Sequence, residues 1–91
     1  MGREVKLFKS EERQSRESVC AFLRQMADKI SAGQVTLSQG KESITLNMPE
    51  TLILDVQVED EDKRRKGTQH SLEIEIKWFD DMAGGGPLSL S

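Results

Sequence analysis

The clearest pattern in the chain is a change from helical to strand periodicity near residue 33. Apolar side chains recur every three or four residues from Val19 to Ile30, which places one apolar stripe along a helix. Ser10 can cap the N-terminus of this helix, and Gly33 can end it in the left-handed conformation. The pattern therefore predicts a helix over residues 11–32. Its stripe consists of Val19, Phe22, Leu23, Met26, Ala27 and Ile30.

Alternating apolar and polar residues, which are typical of half-buried strands, occur on both sides of this helix. Val5 and Leu7 predict a short first strand. After residue 33, two short alternating runs flank Gly40, which favours a hairpin, and Pro49 ends the second run. Two longer runs follow and give the strongest strand signal. Their apolar positions are Leu52, Leu54, Val56 and Val58 in the first run and Leu72, Ile74, Ile76 and Trp78 in the second.

Two segments lack any periodic pattern. Residues 60–70 contain no apolar side chain, and we expect them to form a long, mobile tip between the two long strands. Residues 81–91 contain three consecutive glycines, Gly84 to Gly86, and we expect a flexible Gly-rich tail there. The rest of the chain, residues 1–80, is predicted to form a single α+β domain.

The order of the predicted elements is β-α-β-β-β-β. The helix and the sheet each carry one apolar side, and neither can bury that side alone. Strict alternation along the long strands indicates an antiparallel sheet with one face in water. The sequence therefore predicts a two-layer α+β structure, with one helix packed on a largely antiparallel sheet whose strand order stays open.

Composition limits the classes of protein to which the chain can belong. It has 91 residues, of which 35% are hydrophobic and 32% charged, and its net charge is −3. One Cys and one His exclude a disulfide framework and a Cys/His zinc site. No apolar run approaches the ~18 residues of a membrane-spanning helix, so we expect no membrane association of that kind. The lone thiol and the absence of an export signal predict a cytoplasmic protein.

Side chains suited to catalysis or metal binding are few. Cys20 and His70 are the only nucleophile–base pair, and the pattern places them on the helix and at the edge of the tip. Asp60 and Asp62 suggest calcium ligands, but four cations follow them directly. We therefore expect no enzyme activity, no catalytic residue, no metal, no cofactor and no small-molecule substrate.

The predicted tip carries four adjacent cations, Lys63, Arg64, Arg65 and Lys66, which could contact phosphates. No aromatic side chain alternates with them for base stacking, and an acidic run precedes them. The net charge is also negative, whereas nucleic-acid binding needs a basic face. Nucleic-acid association through residues 63–66 is therefore the alternative function, and nucleic acid is the less favoured partner.

The pairing of the two long strands decides which residues meet on the polar face. One register places Ile53 opposite Phe79, and a shift by two residues places Asp55 opposite Glu75. Like charges directly opposite each other are destabilising, so the first register is predicted. Ile53 and Phe79 then lie side by side, and Phe8 could join them. We expect these three residues to bind a protein partner or a second copy of the chain.

The last predicted strand, residues 72–78, is amphipathic and ends in a tryptophan. This strand, the helix with its preceding Leu7-Phe8-Lys9-Ser10-Glu11-Glu12, and the residues from Gly33 to Gly40 together resemble the amphi-Trp domain family of small bacterial and archaeal proteins. The resemblance covers about residues 4–79, apart from the charged tip, and leaves out the tail. It implies a small domain for which no activity, cofactor or catalytic residue is assigned.

Overall fold

A computed structural model describes residues 2–80, and the chain divides into two compact units between Met48 and Pro49. The predicted α+β class is confirmed, because one helix is followed by four antiparallel strands. The single domain over residues 1–80 stays a prediction, and the predicted tail over 81–91 lies outside the described residues. The elements are α1 (Arg16–Ala32), β1 (Gln34–Gln39) and β2 (Glu42–Asn47) in the first unit, and β3 (Ile53–Asp62) and β4 (Thr68–Lys77) in the second.

Helix α1 begins at Arg16, five residues later than predicted. Ser15 is the N-cap in place of Ser10, and its side chain accepts a hydrogen bond of 3.0 Å from the Ser18 amide. No apolar side chain lies between Phe8 and Val19, so residues 11–15 have no apolar stripe to pack. Helical stability in proteins comes mainly from packing such a stripe, which explains why the helix starts close to its first apolar residue.

The predicted roles of Gly33, at the end of the helix, and of Gly40, in the hairpin turn, are confirmed. Gly33 ends α1 with a φ of 86°, and its amide donates a hydrogen bond of 2.9 Å to the carbonyl of Ile30. Gly40 has a φ of 60° and is the first residue of the two-residue turn that joins β1 and β2. A positive φ at this place matches the twist of a two-residue hairpin.

The β1–β2 hairpin carries its apolar and polar residues on opposite faces. Val35 pairs with Leu46 and Leu37 with Ile44, and Val35 is the only buried side chain among residues 2–80, at 4% exposure. Helix α1 contacts β1, so the small core of the first unit lies between them. The polar face is joined by three cross-strand side-chain hydrogen bonds, Gln34–Asn47, Thr36–Thr45 and Ser38–Ser43.

The predicted first strand is absent from the structure, in which residues 2–15 have no regular secondary structure. Val5 and Leu7 are 71% and 69% exposed, and no strand pairs with their segment. A strand needs a neighbour to complete its hydrogen bonds, and two apolar residues are too few to fix one. The four remaining strands form two separate two-stranded sheets, β1–β2 and β3–β4, and not one continuous sheet.

The predicted long tip between β3 and β4 is wrong, because the strands continue through most of it. Only residues 63–67 form the loop, and Asp60 and His70 lie within the strands. The carboxylate of Asp62 accepts a 2.8 Å hydrogen bond from the Arg64 amide, and the Lys63 amide donates to the Gly67 carbonyl at 2.8 Å. Polar side chains therefore extend the hairpin here, since ladder hydrogen bonds do not depend on apolar residues.

The conformation of Gly33 predicts the effect of adding a side chain there. We expect Gly33→Ala to lower the free energy of unfolding by about 1–2 kcal/mol, because a left-handed backbone strains an L-residue. The new Cβ would lie 3.8 Å from the Met48 carbonyl oxygen, an ordinary contact, so the backbone alone carries the cost. Urea denaturation at fixed protein concentration measures the change. Gly2→Ala, which meets no atom within 4 Å, is the control, and an equal loss in both variants would contradict the assignment.

Candidate protein-interaction surface

The second unit has one face made almost entirely of apolar side chains. In the observed register, Leu54 pairs with Ile76, Val56 with Ile74 and Val58 with Leu72. Direct cross-strand partners lie on the same face of a sheet, so these six side chains are contiguous. We call this set the hairpin apolar face; its members are Leu54, Val56, Val58, Leu72, Ile74 and Ile76.

Five of the six side chains of the hairpin apolar face are exposed. Their exposed fractions lie between 54% for Ile74 and 76% for Val58, and Ile76 is half-buried. Scattered exposed apolar residues are normal in proteins, but a contiguous set indicates a contact surface. The sequence predicted that these residues would be core, because alternation shows that they share a face and does not show what covers it.

Polar side chains limit this face at the tip of the hairpin. Asp60 and His70 are the next cross-strand pair on the same side, and His70 Nδ1 lies 2.7 Å from Asp60 Oδ1. Asp62 and Thr68 form the last pair before the loop. The hairpin apolar face therefore ends well before the turn, and the solvated residues beyond it match the usual polar rim of an interface.

The opposite face of the hairpin shows that the predicted register is wrong. Asp55 lies opposite Glu75, and Ile53 lies opposite Lys77 and not opposite Phe79. The ammonium group of Lys77 offsets the like-charge pair, since its Nζ is 3.4 Å from Asp55 Oδ2 and 3.5 Å from Glu75 Oε1. The hydrogen bond to Asp55 and the charges of both carboxylates raise the pKa of Lys77 above its usual 10.5.

The three residues predicted as an interface occupy different surroundings. Ile53 is 37% exposed at the start of β3, and Phe79 is 63% exposed beyond the end of β4. Phe8 belongs to the first unit, where it is half-buried and lines a groove of about 420 Å³ with Val19 and Phe22. The direct pairing of Ile53 with Phe79 is absent, and a role in binding for these three residues stays a prediction.

The four cations are held in a defined turn at the end of the hairpin. Arg64, Arg65 and Lys66 form a single 3₁₀ turn and are exposed, while Lys63 pairs with Glu61 at 3.2 Å. Arg64 has a φ of 58°, the only positive φ of a non-glycine residue within 2–80. Acidic side chains precede this turn in β3, so the cations do not form an isolated basic patch.

The family model of the Amphi-Trp domain matches residues 1–91, the whole length of the chain. The chain belongs to the Amphi-Trp domain family. The resemblance predicted from the sequence is thereby confirmed, and the match also takes in the charged tip and residues 81–91, which the prediction left out. No curated protein and no solved structure matches the chain.

The side chains of this Amphi-Trp domain that could act in catalysis are exposed. Cys20 lies on α1 as an exposed thiol, and His70 lies in β4 beside Asp60. Within residues 2–80, no three His, Cys, Asp or Glu side chains are grouped to hold a metal ion. None of the helical residues described in this Amphi-Trp domain forms a segment with the length and apolar character needed to span a bilayer.

The ion pairs of Lys77 predict a pH dependence of stability for this Amphi-Trp domain. Because the folded-state pKa is raised, the stabilising contribution is fully present below pH 10.5 and is lost as the pH rises through the folded-state value. We therefore expect Lys77→Met to be less stable than the native chain by a constant amount from pH 7 to 9. The difference should shrink above about pH 10.5.

Urea denaturation of the native chain and Lys77→Met at a series of pH values measures this difference. Lys41→Met, in the β1–β2 turn, is the control, because Lys41 forms no ion pair within the described residues. A loss of stability in Lys77→Met that is the same at every pH up to 12 would show that the apolar stem of the lysine, and not its charge, contributes.

Proposed function

We propose that the chain is a non-enzymatic protein-interaction module that self-associates through the hairpin apolar face. The proposal rests on one observation, the exposure of five contiguous apolar side chains in β3 and β4. The exposed thiol of Cys20 supports a reducing compartment, and we place the protein in the cytoplasm. The exposed positions of Cys20 and His70 support the non-enzymatic assignment, because catalysis needs a nucleophile and a base held together in a shaped site.

The size of the exposed face favours an interaction surface. Burying a Val, Leu or Ile side chain gains about 1.5–3 kcal/mol at about 25 cal/mol per Å², which corresponds to roughly 60–120 Å² each. At the observed exposures, the face presents on the order of 300 Å² of apolar surface. Its burial would contribute about 7 kcal/mol per copy, comparable with the ~5–15 kcal/mol of a whole domain. Contact of even part of this surface with a second copy would therefore contribute measurably to association.

Replacing one residue of the hairpin apolar face by a charged one tests the proposal. We expect light scattering on a sizing column to give a mass above that of one chain for the native protein, rising with concentration. Val56→Glu should reduce this mass to one chain, because a carboxylate at the centre of the face would have to be desolvated. Gln14→Glu adds the same charge at an exposed position outside the hairpin and keeps the acceptor for the Ser18 hydroxyl, so it is the matched control and should leave the mass unchanged.

The same measurement on Phe79→Glu separates the hairpin apolar face from the surface predicted by sequence. A reduced mass for Phe79→Glu with no change for Val56→Glu would move the interface to Ile53, Phe79 and Phe8. A native chain that is monomeric at every concentration, with Val56→Glu equally stable to urea, would contradict self-association through either surface.

Nucleic-acid binding is a second candidate, favoured by the exposed turn that holds Arg64, Arg65 and Lys66 in succession. Acidic residues precede this turn, so we expect fluorescence anisotropy to show no binding of labelled single-stranded DNA at physiological salt. Tight binding that falls steeply with added salt, and that a triple Arg64→Ala, Arg65→Ala, Lys66→Ala variant abolishes, would instead favour this candidate.

A further inference from the structure

We propose, resting on the function proposed above, that the partner is a second copy paired edge to edge along β3. The two β3 strands would run antiparallel, with Val56 of one chain opposite Val56 of the other. The pairing would join two hairpins into one four-stranded sheet with a continuous apolar face. Three features of the hairpin favour this pairing: its outward backbone groups, its apolar positions and its charges.

The hydrogen bonds of the hairpin show which backbone groups of β3 point away from β4. The Lys63 amide donates to the Gly67 carbonyl, so this pair of residues belongs to the hydrogen-bonded set of the hairpin. Hydrogen-bonded and non-hydrogen-bonded pairs alternate along an antiparallel ladder. Odd-numbered residues of β3 therefore bond to β4, and even-numbered ones direct their N–H and C=O groups outward. Leu54, Val56 and Val58 thus carry both the exposed apolar side chains and the backbone groups that no strand within residues 2–80 pairs.

The apolar positions fix the register. An edge with exposed apolar side chains and unpaired backbone groups is a template for another strand. Only one two-fold register places Leu54, Val56 and Val58 all opposite members of the same set in the second copy. It sets Val56 opposite Val56, and Leu54 opposite Val58 in both directions. A shift by two residues in one direction sets Leu54 opposite Asp60. The shift in the other direction sets Val58 opposite Leu52, which precedes β3, and Asp55 opposite Asp55 of the second copy.

The charges favour β3 over β4 as the paired edge. In the register centred on Val56, Asp55 lies opposite Gln57 of the second copy, so no two like charges meet. The equivalent register of β4, centred on Ile74, sets Glu73 opposite Glu75 twice. Like charges directly opposite each other destabilise a sheet. The edge that can align its apolar residues without this repulsion is β3.

The acidic end of β3 also fits this arrangement. The overlap runs from Ile53 to Glu59, so Asp60, Glu61 and Asp62 extend beyond it at both ends. Because the strands are antiparallel, the two acidic segments point away from each other. A pairing of β3 with β4 of another copy would be heterologous and would form a ring or an open filament, whereas the β3–β3 pairing is two-fold and closes at two chains.

Cysteine cross-linking of the full chain, with Cys20→Ser as background, tests the register. Directly opposite residues have Cα atoms about 5.5 Å apart, which a disulfide can span. We therefore expect Val56→Cys to form disulfide-linked dimers on mild oxidation. Val58→Cys alone should not, since its own copy would be about 13 Å away along the strand. Mixing Val58→Cys with Leu54→Cys should restore cross-linking, and only between the two different chains.

A second pair of variants leaves the apolar face intact in case Val56→Cys fails to fold. Asp55→Cys mixed with Gln57→Cys should cross-link as a heterodimer, and neither variant alone should do so. Dimers by light scattering without a cross-link at these positions would overturn the β3 pairing and leave the proposed function standing. Cross-linking through Ile74→Cys would assign the edge to β4. A native chain that is monomeric by light scattering would overturn both proposals.

Discussion

A hairpin of two strands pairs only one edge of each strand, and this limit shapes the second unit of the chain. Each strand keeps a row of unpaired N–H and C=O groups, and alternation assigns those groups in β3 to the same residues that carry the apolar side chains. Leu54, Val56 and Val58 therefore expose to water both their apolar side chains and backbone groups that no strand within residues 2–80 pairs. A strand from another molecule can complete the ladder and bring its own apolar side chains against Leu54, Val56 and Val58 from the side, which a partner that only touched the side chains could not do.

The first unit is organised by local rules, and the sequence predicted most of it. Gly33 and Gly40 each adopt the positive φ that their places in a helix end and a two-residue turn require. These positions depend on residues adjacent in sequence, so the pattern was sufficient. The start of the helix was predicted wrongly because Ser10 and Ser15 are both competent caps, and the first apolar contact of the helix decides between them.

The register of β3 with β4 could not be predicted from direct pairs alone. The turn sets it through the hydrogen bonds of Asp62 and Lys63, and these backbone contacts do not show in the pattern of apolar residues. The like-charge pair of Asp55 and Glu75 disfavours the observed register when only directly opposite residues are compared. Lys77 lies within reach of both carboxylates, so the cluster carries one net negative charge and not two.

The sequence predicted an interface at Ile53, Phe79 and Phe8, and the structure adds the hairpin apolar face as a second exposed surface. Ile53 and Phe79 were predicted because the expected register placed them side by side on the face away from the helix, whereas Leu54, Val56 and Val58 were expected to pack under the helix. The structure leaves those residues exposed and uses Lys77 within its own chain, where Asp55 and Glu75 already share it. Lys77 is thus not free to offset the charge of a glutamate from a second copy paired along β4. In the β3 pairing, the neutral amide of Gln57 lies opposite Asp55 of the second copy. No cation is therefore needed to offset a like-charge pair along this edge.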